Sequence, residues 1–413
     1  MSNNFYLARQ PILDQKQKNI GYELLYRNSA QSADYANERH ATAALLVNVL
    51  NQAGLKSVVG NYLAFVNIDD RFLRHEIIDT IPPKTFIYEI TGSSNLDALT
   101  VERIEVLYNK GYLFCLDASS HVDIDKYSTV LPYLSYCKID TFNFGFKYIE
   151  KFVETLHKHD VKAIAAKVET ESDFQIYKGL MFDSFQGYYF AEPKIIQDKK
   201  LDADQKSLFQ LCNLLQGGGS IVEIVESFEK NPSLMLQLLR FMNSAAFQFK
   251  QQITSIQQII TLLGRNPLNQ WLMLLLYSKS LSNDGGFDNP LIILVKHRTN
   301  LLVSLMKMIK KDYTIQDQNE AYFVGVLSLL DTLLQISLNE IFKVFSVDER
   351  IQNALFKKSG DLGELFSFVL AIENFDTAKI DMYVQKYTLD KDKFAKLMLE
   401  NIQVTAEFEQ ATK

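Results

Sequence analysis

Two hydrophobic patterns divide the chain near residue 200. In the first half, short continuous apolar runs recur: "YLAFVNI", "TFIYEI", "YLFCLDA", "YCKID", "KAIAAKV" and "FQGYYF". Apolar runs of this length, with little polar alternation, predict strands buried on both faces. Between several of them lie longer stretches with helical spacing, such as "ERHATAALLVNVLNQAG" and "FKYIEKFVETLHKHD". This alternation predicts βα units and a parallel sheet covered by helices. The segments "YLARQPILD" and "NIGYELLYR" add an opening pair of strands joined by the polar turn Asp14–Asn19. About seven or eight strands in roughly 200 residues fit a small α/β barrel of the TIM type better than an open sheet.

After "AEPKIIQDKKLDADQKS", a charged stretch that reads as a linker, the strand pattern stops. The segment "GGGSIVEIVESFEKNPSLMLQLLRFMNSAAF" carries a capping box, Ser220 with Glu223, and then an Asn231–Pro232 helix start. In "TSIQQIITLLGRNPLNQWLMLLL", Gly264 is a candidate C-cap and Asn266–Pro267 opens the next helix. Helical spacing then continues to the end. The pattern therefore predicts a barrel domain over residues 1–200 and an all-α domain over residues 201–413.

Polar residues fall at the ends of successive predicted strands: Glu23, Asn67, Glu89, Asp117, Lys138 with Asp140, Glu169 and Gln186. In a barrel of parallel strands those ends share one face, so the set is expected to converge on a single site. Strand ends are also simply where polar residues begin, which accounts for any one of them but poorly for a succession.

Composition narrows the function classes. Apolar residues make up 47% and charged residues 22% of 413, which is typical of a soluble protein with real cores. The net charge of −6, with both signs interspersed, gives nucleic acid no electrostatic handle. Cys115, Cys137 and Cys212 form no CxxC pair and are expected as reduced, buried thiols, so a cytoplasmic location is expected. The start "MSNNFYLARQ" lacks the basic and apolar regions of a signal peptide, and "WLMLLLY" is too short to span a bilayer. No membrane partner is expected.

Several of these segments resemble a known family. "RQPI" (Arg9–Ile12) followed by "YELLYR" (Tyr22–Arg27) is similar to the opening of EAL domains, with their ExLxR motif. The resemblance continues in order through "FVNID", "YEITGS", "LDASS", "CKID", "AAKVET" and "QGYYFAEP". EAL domains are TIM-type barrels that hydrolyse the bacterial messenger cyclic di-GMP. The second half, "IVEIVESFEKNPSLMLQLLRFMNSAAF" with "ITSIQQIITLLG", resembles the HDOD domain, a helical relative of HD-type phosphohydrolases. Together they resemble the EAL–HDOD class of bacterial signalling proteins.

The resemblance implies a site in which two Mg²⁺ or Mn²⁺ ions, about 4 Å apart, activate water against a phosphodiester. Glu23, Asn67, Glu89 and Asp117 match its metal ligands. The second Asp of that motif is Ala118 here, the proposed general base is Ala166 followed by Lys167, and a loop-anchoring Glu is Gly92. Losing a ligand or a base costs orders of magnitude in rate, so the resemblance implies a vestigial barrel site with no catalytic residue at work. Gln10, Leu25 and Arg27 match residues that grip the dinucleotide, and Lys138, Glu169 and Gln186 match other pocket members. These are expected either to bind cyclic di-GMP without cleaving it or to hold the barrel mouth together by mutual ion pairs. Mg or Mn is expected only if the vestigial ligands still hold it.

In the helical half an HD site would need several histidines, and residues 201–413 contain only His297. "GVLSLL" (Gly325–Leu330) places Ser328 and Leu329 where the His-Asp pair would fall, so His297 is expected to be an ordinary helix residue. The resulting expectation is a non-catalytic signal-transduction protein with other signalling proteins as partners, in regulation of motility or biofilm. A homo-oligomer is compatible with it. The alternative is an active cyclic di-GMP phosphodiesterase with a rearranged metal site.

Overall fold

The computed structural model describes residues 5–28, 54–91, 94, 96–118, 127–141, 145–191, 199–242, 255–281 and 289–411. Residues 38–53 of the helix expected from "ERHATAALLVNVLNQAG" lie outside these, as does Gly92. Eight strands close a barrel in sequence order: β1 (Phe5–Asp14), β2 (Asn19–Asn28), β3 (Leu63–Ile68), β4 (Ile87–Thr91), β5 (Leu113–Ala118), β6 (Tyr136–Asp140), β7 (Lys162–Ala166) and β8 (Ser184–Gln186). The turn after Asp14 makes β1–β2 a hairpin, so β1 runs antiparallel to both β2 and β8. The remaining neighbours pair in parallel. The barrel thus departs from an all-parallel TIM barrel at one strand, because a short turn can only join antiparallel neighbours.

The pleat sorts residues between two cores. Tyr22, Leu24, Ala64, Val66, Tyr88, Ile90, Phe114, Leu116, Ala163 and Ala165 belong to the large core outside the barrel. Helices of this layer include α1 (Ala98–Asn109), α2 (Phe146–Lys158) and α3 (Glu171–Gly179). On α2, Ile149, Phe152, Val153 and Leu156 repeat at helical spacing and are all buried. Inside the barrel, Ile12, Phe65, Ile87, Cys115 and Ile164 form a separate apolar plug.

Every described element from Ala203 onward is helical: α4 (Ala203–Gln216), α5 (Ile221–Glu229), α6 (Pro232–Met242), α7 (Ile256–Leu263), α8 (Arg265–Leu281), α9 (Pro290–Ile309), α10 (Ile315–Leu327), α11 (Glu349–Lys357), α12 (Gly360–Glu373) and α13 (Lys391–Ala411), with a helix over Thr377–Lys386 and two short ones, Leu330–Leu334 and Leu338–Ile341, between. Asp202 caps α4 in a capping box, so the charged stretch that reads as a linker already begins a helix. Ser220 and Glu223 form the expected box on α5, and Gly264, at φ 84°, ends α7. None of the described helices is long and apolar enough to cross a membrane. All three cysteines are free and buried.

Compactness divides the chain otherwise than by a single cut at residue 200. One unit comprises Met1–Glu192, Phe287–Tyr313 and Leu365–Lys413; the other comprises Pro193–Gly286 and Thr314–Glu364. The physical reason lies in α13. Ile402 joins the barrel's outer core, and Glu409 pairs with Arg9 of β1 at 2.9 Å. Helical spacing shows that such a helix has an apolar face; it does not show which surface that face covers.

Candidate functional site

Two residues beyond three of the plug residues, on the same inward face, the strands turn polar: Phe65 is followed by Asn67, Ile87 by Glu89 and Cys115 by Asp117, whereas Ile164 is followed by Ala166. On antiparallel β1 the order reverses, and Gln10 precedes Ile12; it pairs in register with Glu23 of β2. Lys138 and Asp140 of β6 complete the layer with Gln186 of β8. The barrel therefore has an apolar floor under a polar mouth.

Lys138 organises the mouth. Its Nζ lies 3.0 Å from Glu23 Oε2 and also contacts Glu89 Oε1. Glu23 accepts further hydrogen bonds from Asn67 Nδ2 (2.7 Å) and Gln186 Nε2 (2.5 Å). Gln186 also donates to Gln10 Oε1 at 3.0 Å. Behind Gln186 the chain needs a glycine: a Cβ on Gly187 would come within 1.9 Å of the Val168 carbonyl oxygen.

The carboxylates do not share one charge state. Burial alone would raise the pKa of Glu23, but Lys138 and the bonds from Gln186 and Asn67 outweigh it and lower it. Glu89, fully buried, is pushed up to about 8 by burial and by Glu23, despite Lys138. Asp117 is raised by burial against the opposing pull of Lys138. Lys138 itself is held charged: burial disfavours the ammonium, and Glu23 and Glu89 more than offset it. One ammonium thus stabilises one carboxylate, while Glu89 near neutrality keeps its proton much of the time.

Glu169 stands apart. It is exposed, and no described hydrogen bond or ion pair ties it to the mouth. Leu25 is half-buried on β2, and the side chain of Arg27 lies outside the described residues. Ala118 also falls outside the polar layer. It is 0% exposed and packs in the outer core, because the pleat points it away from Asp117. Ala166, by contrast, occupies the polar layer and brings no polar side chain to it. Lys167 follows at φ 57°, a left-handed conformation that favours glycine, and its Nζ bonds Asp140 Oδ2 at 2.6 Å.

The donors Glu23, Asn67, Glu89 and Asp117 are right in kind for Mg²⁺ or Mn²⁺. Among the described residues no three acidic, His or Cys side chains are placed to hold an ion, and Lys138 supplies the positive charge between Glu23 and Glu89. No metal-dependent step is derived from them.

In the helical half, Ser328 follows α10 and donates to the Gly325 carbonyl at 2.7 Å. Leu329 is buried. His297, on α9, lies against Asn401 Nδ2 at 3.1 Å, and burial, with Arg9 and Arg298 nearby, lowers its pKa to about 3.

Comparison with known proteins agrees with the helical part of this architecture. Residues 207–343 match the HDOD domain. Over 380 residues the chain is 29% identical to the uncharacterized protein YuxH of Bacillus subtilis, covering 90% of this chain and 92% of that one. It is 25% identical over 400 residues to the cyclic di-GMP phosphodiesterase CdgJ of Vibrio cholerae, covering 96% and 91%. Among solved structures, the EAL enzyme Bd1971 in its cAMP- and cyclic di-GMP-bound form covers 46% of this chain at 18% identity and a TM-score of 0.37. The chain spans 62% of that enzyme's length, and a likeness this slight carries no functional argument.

Sequence reasoning placed the mouth residues on strand ends. It offered mutual ion pairs there without fixing the partners of Lys138, and it missed the Arg9–Glu409 pair, which joins residues near opposite ends of the chain.

Proposed function

We propose that the chain is a non-catalytic signalling protein of cyclic di-GMP-related regulation, acting through contacts with other signalling proteins. The observation that carries this reading is Ala166, which leaves the polar layer without a carboxylate on β7 where a base is expected. The buried Lys138 bridge adds to it, because an ammonium contributed by the chain itself contacts Glu23 and Glu89, two of the four candidate metal ligands. The match to the HDOD domain and the similarity to CdgJ support the signalling context. Cyclic di-GMP is a candidate ligand of the mouth through Gln10 and Gln186, amides suited to a guanine edge.

A second reading, an active phosphodiesterase, is favoured by the name of CdgJ and by the presence of all four oxygen donors. One assay separates the two: the purified chain with cyclic di-GMP and Mg²⁺ or Mn²⁺, followed for the linear product, beside calorimetry for binding. The expected result is no linear product. Sustained turnover that depends on Glu89 would overturn the proposal in favour of the second reading.

A further inference from the structure

On the side of the hairpin away from the polar mouth lies a cleft that the barrel site does not use. It is bounded by β1, β2, α9, α13 and the end of α12, and its lining residues all belong to the first compact unit. Its walls are largely apolar, including Pro11, Phe190, Ile293, Leu294, Met398 and Ile402. The interior is about 50 Å³ and opens to solvent. One water needs about 10–15 Å³, so the interior takes a small ring or a short chain rather than a nucleotide.

The charges around the cleft are already paired. Arg9 lies 2.9 Å from Glu409, both nearly fully buried. Arg9 also donates to the Val58 carbonyl at 2.9 Å and stacks on the Tyr22 ring, while the Tyr22 hydroxyl bonds Glu409. Arg298 grips Glu373 through two nitrogens at 2.9 and 2.7 Å. The Tyr188 and Thr405 hydroxyls donate to the carbonyls of Glu373 and Asn401. His297 is held uncharged by its burial. A charged guest would lose its hydration and find no free counter-charge, which is costly.

One donor is left over. Asn19 accepts from the Gly21 amide through Oδ1 at 3.3 Å, but its buried Nδ2 has no hydrogen-bond partner. Buried donors are nearly always satisfied, and Asn19 lines the cleft. We propose that the cleft is a binding site for a small uncharged molecule with an apolar body and one carbonyl-type acceptor, which Asn19 holds. Its guest would rest on the strands whose other face carries Gln10 and Glu23.

Cyclohexanone is a suitable probe, with cyclohexanecarboxylate and cyclohexylamine as charged analogues of similar shape. Saturation-transfer NMR on the full chain reads binding of each. The expected result is saturable millimolar binding of cyclohexanone and none of either charged analogue. Ile293→Trp, which fills the half-buried mouth, is expected to abolish it, while Met181→Trp on the exposed barrel surface leaves it unchanged. Asn19→Asp keeps the acceptor for Gly21 and removes the donor, so binding is expected to weaken about tenfold. Absence of saturable cyclohexanone binding, equal binding by the charged analogues, or unchanged binding in Ile293→Trp would each overturn the proposal. Should Ile293→Trp not fold, unchanged binding in Asn19→Asp overturns it instead.

Discussion

Replacing Lys138 by Met tests whether the barrel mouth is held by its own ammonium. Lys138 is 7% exposed, Glu23 5% and Glu89 0%, so the contacts are screened little by water. The substitution keeps an unbranched side chain, one atom shorter, and removes the charge and its donors. It leaves two buried carboxyl groups without a cation, a type of change that costs about 3–5 kcal/mol. The midpoint of the barrel's thermal unfolding should fall by on the order of 10 °C. A triple variant, Lys138→Met with Glu23→Gln and Glu89→Gln, should recover most of that loss, because uncharged amides need no counter-ion. The pH dependence gives a further reading. Glu89 has a folded pKa of about 8, above its unfolded value of about 4.3. The folded state therefore binds the extra proton between those values, and this contribution to stability is complete below about 4.3 and fades as pH rises through 8. Removing Lys138 takes away a lowering influence, so the fade should extend to higher pH. Scanning calorimetry from pH 6 to pH 9 reads both effects. A single variant as stable as the parent, or a triple variant no better than the single one, would refute the reasoning.

Three other outcomes follow from the packing. Ala118→Asp should destabilise the barrel by several kcal/mol rather than create a metal ligand, since position 118 faces the apolar outer core; denaturant titration with and without Mn²⁺ checks it, and Mn²⁺ should not restore the loss. Glu409→Ala should cost about 3–5 kcal/mol by leaving buried Arg9 without its partner, and Arg9→Met with Glu409→Leu should cost less, again by denaturant titration. His297, with a folded pKa near 3 against an unfolded value of about 6.5, binds fewer protons folded than unfolded in that interval. Its contribution is present above pH 6.5 and lost as pH falls through 3, so His297→Gln should flatten the acid limb of a pH–stability curve.

The sequence by itself determined the strands, the helices and the existence of a polar mouth. Strand runs, the capping box at Ser220, and the polar residues two positions after Phe65, Ile87 and Cys115 are local patterns, set by the pleat and by the ends of helices. The tertiary structure alone decided which polar residues meet. Glu169 follows a strand end just as Gln186 closes one, yet the first is exposed and the second bonds Glu23. Ala118 and Ala166 read alike as lost carboxylates, yet the pleat sends one into the outer core and leaves the other in the polar layer. Lys138 acquires its partners because closure of the barrel brings β6 opposite β2 and β4, a consequence of the whole sheet rather than of any segment. Likewise, spacing marks α13 as amphipathic, but only long-range packing decides that its apolar face covers β1, where Glu409 meets Arg9. Pairings between residues hundreds of positions apart depend on how closed layers stack, and a chain read one window at a time carries no record of that.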